Sequence, residues 1–205
     1  MIKTKILPLL LLFIIFTSCG GAKYDYHFEK GKEINFENGK WLLNEPFTNY
    51  KSNDAYSYAK KELEIILGDS LIELVELRQT KIIGKQLPLN PTAKELKEIK
   101  ALSNCDFLIN IESKIIKDEM GNSEHSTNIG TVTKYNQASS KIQIYDLNKL
   151  DLISESTSFG EVKVKKTPED NGIIETVFNY TTPGRTLALN TIKKLIRQYK
   201  KHQKE

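Results

Sequence analysis

Residues 105–111 read Cys105-Asp106-Phe107-Leu108-Ile109-Asn110-Ile111, the clearest strand in the chain. Its odd positions, Cys105, Phe107, Ile109 and Ile111, point one way, as a half-buried strand requires, and Cys105 is expected on that buried face. On the amino-terminal side, Thr92 opens a helix whose apolar residues Leu96, Ile99 and Leu102 lie three apart, and Ser103-Asn104 closes it. On the carboxyl-terminal side, residues 117–139 turn polar and read as a long connection to a second strand built on Ile142, Ile144 and Leu147. Asn148-Lys149 supports a tight turn into a third strand. There Leu152, Ser154, Ser156 and Ser158 alternate with Ile153, Glu155, Thr157 and Phe159, and the strand runs toward Val164.

The remaining elements flank this group. Residues 41–47 form a short apolar stretch that reads as a first strand, and Asp54 caps a helix carrying Ala55, Ala59, Leu63, Ile66 and Leu67 up to Gly68. Residues 71–77 read as a strand with Ile72, Leu74 and Val75 buried, followed by a loop at Pro88 and Pro91. After a polar break at 168–172, the segment 173–180 reads as a strand. The last helix runs from about 183 to 201, with Leu187, Thr191, Leu195 and Tyr199 in one row and Ala188, Ile192 and Ile196 beside it. The predicted fold is α/β (α+β), a mixed sheet of about five strands with three helices in the order β-α-β-α-β-β-β-α.

Of 205 residues, 39% are hydrophobic and 27% charged, an ordinary folding composition. The apolar run at residues 6–16 is unmatched downstream, which excludes a polytopic membrane protein. With the positive start Lys3 and Lys5, this run is too short to span ~30 Å of hydrocarbon and reads as a signal peptide over residues 1–18. Without that leader, 28 basic side chains face 26 acidic ones, so the formal charge falls from +4 to +2 and no nucleic-acid partner is indicated. The surplus sits in residues 193–205, where six cations face Glu205 alone; it reads as a solvated helix end suited to the helix dipole. Residues 19–33 read as a flexible tether and 34–205 as a single domain.

Phe16-Thr17-Ser18-Cys19-Gly20 resembles the lipobox of bacterial lipoproteins. That resemblance implies lipid attachment at Cys19 and cleavage before it. Two or more acyl chains, at ~0.8 kcal/mol per buried methylene, anchor stably where one does not. Gly20 rather than Asp after the cysteine implies outer-membrane anchoring, with the domain facing the periplasm.

The residue patterns that carry catalytic, metal or phosphate chemistry are incomplete in this chain. Gly68-Asp69-Ser70-Leu71 spells the nucleophile block of an esterase family, whose histidine base follows its Asp by three positions. Tyr199, Asn122 and Tyr24 stand three before His202, His125 and His27, so no histidine has that partner. Those histidines are too far apart for a metal-ligand spacing, Asp118, Glu119 and Glu124 lack the register of a calcium loop, and no glycine-rich phosphate cradle exists. No enzyme activity, metal or cofactor is expected. Trp41, Tyr24, Tyr26, Tyr50, Tyr56 and Tyr58 offer a sugar-stacking alternative to ordinary packing.

Leu43-Asn44-Glu45-Pro46-Phe47-Thr48-Asn49, Asn104-Cys105-Asp106-Phe107-Leu108-Ile109 and Lys141-Ile142-Gln143-Ile144-Tyr145-Asp146-Leu147 resemble three phrases of one group of envelope domains. The group comprises the curli-secretion lipoprotein, the lipoprotein activators of penicillin-binding proteins, and the amino-terminal domain of the beta protein of the Tol system. The likeness departs at Asn148-Lys149, where the group carries Gly, and in the long polar 117–139 connection. It implies a non-enzymatic module that binds another envelope protein or forms a homo-oligomer. The expected roles are docking through the 117–139 loop or a sheet edge, self-assembly as a structural or secretion component, or binding of cell-wall glycan.

Overall fold

The computed structural model describes residues 21–51, 53–119, 132–166 and 182–203. Along the chain these form β1 (Lys23–Lys30), β2 (Trp41–Leu43), β3 (Phe47–Thr48), α1 (Asn53–Leu67), a 3₁₀ turn (Gly68–Ser70), β4 (Leu71–Glu73), α2 (Leu74–Thr80) and α3 (Ala93–Ser103). The long antiparallel strands β5 (Phe107–Asp118), β6 (Val132–Asp146) and β7 (Asp151–Lys166) follow, then α4 (Gly184–Lys201). The seven strands make one mixed sheet in the order β1-β7-β6-β5-β2-β4, with β3 also on β5. Pairing is antiparallel from β1 to β5 and parallel among β5, β2, β3 and β4. The mixed α/β architecture expected from the sequence is present, with more strands and helices than expected.

Strand alternation distributes the core over both faces. Trp41, Leu43, Ile109, Ile111, Ile142 and Ile144 pack under α1 and α4, meeting Ala55, Ala59, Leu63, Ile192, Leu195 and Tyr199. Leu42, Leu108 and Tyr145 turn the other way onto Leu74, Leu87, Leu96 and Ile99. β5 is therefore covered on both faces over residues 108–111 rather than half-buried. Cys105 is buried as expected, but it packs beside Leu108, opposite the face of Ile109 and Ile111, because it precedes the regular strand.

Local signals set the helix ends. Thr92 accepts from the Glu95 N–H while the Glu95 carboxylate accepts from the Thr92 N–H at 2.7 Å, a reciprocal cap. Asn104 closes α3 at φ +57, a conformation asparagine tolerates. Asp54 lies inside the first turn of α1 rather than capping it, a placement that still suits the positive helix end. The start of α4 meets the carboxylate of Asp118, which accepts from the Gly184 N–H at 3.2 Å.

Four expectations are corrected. The 19–33 tether contains β1: Lys-Tyr-Asp-Tyr-His-Phe-Glu-Lys alternates charged and aromatic residues, and Tyr24, Tyr26 and Phe28 lie half-buried on the α4 side while the others face water. The sheet thus starts at Lys23, not Ile34. Residues 41–47 are two strands, β2 and β3, separated at buried Asn44, half-buried Glu45 and buried Pro46. Residues 71–77 are strand only to Glu73; Leu74 then enters α2 and is buried, leaving Val75 exposed. Of the polar stretch 117–139, residues 117–118 and 132–139 belong to β5 and β6 rather than to a connection, and 120–131, the centre of the expected docking loop, lie outside the described residues. Its polar residue Asn136 is buried in the sheet, as is Ser140 just beyond it. The 173–180 segment lies outside the described residues.

Candidate functional site

Each of the three sequence phrases holds backbone in place. In the first, the Asn44 amide donates to Leu87 O (3.0 Å) and to Asn110 Oδ1 (2.9 Å) and accepts from the N–H groups of Glu45 and Leu87, fastening residues 87–90 to the sheet. Five residues on, Asn49 donates to Ile115 O and accepts from Ile115 N–H, both at 2.9 Å. Its side chain thereby imitates one more residue of strand along β5 just past β3. In the second phrase, Asp106 accepts from the Lys100 ammonium, the Lys40 N–H and the Asn148 amide, which hold its carboxyl down to about 2. In the third, Asp146 Oδ1 accepts from the N–H groups of Asn148 and Lys149 at 2.9 Å and so shapes the β6–β7 turn.

Between the β2–β3 link and residues 85–86 lies an open groove of about 390 Å³. Glu45, Phe47, Asn49, Lys85, Gln86 and Lys114 are among its walls. Gln86 bridges its rim by donating to the carbonyls of Glu45 (3.0 Å) and Pro46 (3.2 Å), and Lys114 pairs with Glu112. Tyr50, at one end, donates to Ser113 Oγ at 2.9 Å, and burial raises its hydroxyl pKa. Carboxylates and ammonium groups alternate along the walls, and no histidine or cysteine lines them. Such a surface suits an extended polar segment better than a reacting small molecule. The groove was missed in the sequence because its walls come from three distant segments.

The other sequence candidates are dispersed. Ser70 closes the 3₁₀ turn, and no hydrogen bond joins it to a histidine among the described residues. His27 faces outward from β1, and His202 stands edge-on to Phe28 at 6.0 Å beyond α4. His125 and Glu124 lie outside the described residues, as do Cys19 and the leader. Among the described residues no three His, Cys, Asp or Glu side chains gather as for a metal, and no helix is long and apolar enough to cross a membrane.

Trp41 is fully buried and stacked on Phe107 at 4.1 Å, so it offers no platform to a sugar. The basic end of α4 is exposed at Lys194, Arg197, Lys200 and Lys201, as expected, and some of its cations also have partners. Arg197 forks onto both oxygens of buried Glu62 (2.8 and 3.1 Å), and Lys193 approaches the same carboxylate at 3.6 Å. Burial alone would raise the Glu62 carboxyl, but these two cations hold it below its ordinary value. Lys194 lies over the Tyr24 ring at 4.2 Å.

No family model matches the chain, and no curated protein matches it. Solved structures do align. The PelC dodecamer from Paraburkholderia phytofirmans aligns over 89% of this chain and 100% of its own, at 10% identity and TM-score 0.49. The LpoB C-terminal domain from Salmonella enterica covers 67% of this chain and 88% of its own, at 12% identity and TM-score 0.38. Lipoprotein GNA1162 from Neisseria meningitidis covers 66% and 89%, at 9% identity and TM-score 0.39.

Proposed function

We propose that this chain is a non-enzymatic lipoprotein of the bacterial outer membrane, acylated at Cys19, whose periplasmic domain docks onto another envelope protein. The observation that carries the docking reading is the groove beside β3, with mixed charge and a two-residue strand edge that an extended segment can join. Acyl chains on Cys19 supply the anchor, and only residues 20–22 separate it from β1, a reach of about 10 Å when extended. The domain is thereby held against the headgroups, which raises its effective concentration for partners at the same membrane.

The test is in-cell cross-linking of the full-length, lipidated protein, followed by identification of what is attached. Foreign envelope proteins are expected. They should be lost from a Lys85→Glu, Lys114→Glu double variant that keeps the unaltered melting temperature. Adducts unchanged in that variant would overturn the groove as the docking site. Migration unaffected by Cys19→Ala, with no fatty acid on the protein, would overturn the anchor.

A further inference from the structure

β1 is the outermost strand on its side of the sheet, and among the described residues its backbone groups bond only to β7, through the β1–β7 ladder and through the Ser154 hydroxyl, which donates to Lys30 O at 3.2 Å. We propose that this edge pairs antiparallel with β1 of a second copy of the chain, in the one register that sets Tyr26 opposite Tyr26, and so joins two sheets into one about a two-fold axis.

The register follows from the strand. Backbone N–H and C=O groups point outward at every second residue, so in a symmetric antiparallel pairing an outward-pointing residue must meet another of the same parity. That leaves pairings centred on a residue. Centring on Asp25 sets Asp25 against itself, and centring on His27 sets Asp25 against Glu29; like charges directly opposite destabilise a sheet. Centring on Tyr24 leaves Phe28 to Lys30, and centring on Phe28 leaves Lys23 and Tyr24, with no strand residue opposite. Centring on Tyr26 sets Lys23 against Glu29 and Asp25 against His27, so each exposed side chain meets a complementary one. Glu29 is already held on that face, because its carboxylate accepts from Thr157 Oγ1 at 2.7 Å. On the other face the same register lays Phe28 of the second copy beside Tyr24 and the two Tyr26 rings beside each other. These aromatic residues are left half-buried by α4 in one copy.

The length of the ladder also fits. Regular pairing with β7 runs from Lys23 to Phe28, Glu29 lies at the register shift before Lys30, and Gly31 at φ +55 then turns the chain away, so the Tyr26-centred register uses the whole regular edge and closes with Glu29 at its irregular end. An edge of alternating charge repels most foreign strands. This one is matched to its own copy, and the inference stands whether or not Cys19 is acylated.

The test uses the full-length protein in detergent. Lys23→Glu alone, or Glu29→Lys alone, is expected to weaken dimerisation about 10-fold by light scattering, since each sets two like-charge pairs in the dimer. Lys23→Glu combined with Glu29→Lys restores the complement and should recover the unsubstituted value. A mixture of Asp25→Cys and His27→Cys chains should form the mixed disulfide well above either self-disulfide, with the unsubstituted protein setting the background from Cys19 and Cys105. A monomer at all concentrations, a double variant as weak as the singles, or self-disulfides equal to the mixed one would each overturn the proposal.

Discussion

Tyr199 carries the most informative hydroxyl in the core. It lies beneath α4, 2% exposed, within 2.8 Å of both Ser154 Oγ and Ser156 Oγ on β7. Burial raises its pKa, so it is a neutral hydrogen-bonding group at any ordinary pH. The two serines are not equivalent. Ser154 also donates to Gly31 O at 2.7 Å, whereas Tyr199 is the side-chain partner of Ser156. Tyr199→Phe therefore leaves Ser154 satisfied and strands the Ser156 hydroxyl in a dry interface, for a cost of about 2 kcal/mol. In a chain of this size that is a fall of roughly 4–8 °C in Tm. Ser156→Ala alone keeps the Tyr199–Ser154 bond and should cost about 1 kcal/mol. The double variant has no stranded group, so adding Ser156→Ala to Tyr199→Phe should restore stability rather than lose more. Urea unfolding followed by circular dichroism measures all three. A double variant as unstable as the sum of the singles, about 3 kcal/mol, would refute the argument from the stranded hydroxyl.

Trp41→Ala removes a ring that is fully buried between Phe36 and Phe107, and should cost about 3–5 kcal/mol in the same assay. Gly31→Ala places a Cβ against the Ile153 carbonyl at a positive φ, so amide exchange should quicken across β1 while β5 and β6 stay protected. Asp106 has its folded pKa lowered from 3.8 to about 2, so the stability it contributes is present above about pH 4 and lost as pH falls toward 2. Asp106→Asn should flatten the acid limb of a Tm-against-pH curve in that window, by at most about 1 kcal/mol because the carboxyl is a third exposed.

The sequence was most legible where one periodicity dominated. The row Leu187, Thr191, Leu195 and Tyr199 predicts α4 because the column Ala188, Ile192 and Ile196 beside it is apolar too, and all four residues of the row are buried. Leu71–Glu73 was harder, since the LIELVEL stretch satisfies a strand and a helix at once, and packing of Leu74 against Leu96 and Ile99 decides where one becomes the other. β1 was missed because an edge strand keeps half its side chains charged, and its alternating aromatics were read as composition instead of period. The far halves of β5 and β6 were missed for a related reason. Beneath α4 the sheet buries Ser113, Ser140, Ser154 and Ser156, small polar residues that bond to one another or to Thr191 and Tyr199 and resemble loop when read one at a time. The groove was not legible, because residues near 45, 85 and 114 meet only after folding.

The entry of β1 into the sheet so soon after Cys19 has a mechanical meaning. If the membrane pulls on an acylated Cys19, residues 20–22 contain too little slack to absorb the displacement. The load passes straight into Lys23 and along β1. That strand is fixed by a ladder of seven pairs to β7, and a pull along its axis strains those pairs together instead of peeling them one by one. The β1–β7 seam is thus where force between bilayer and domain would be borne.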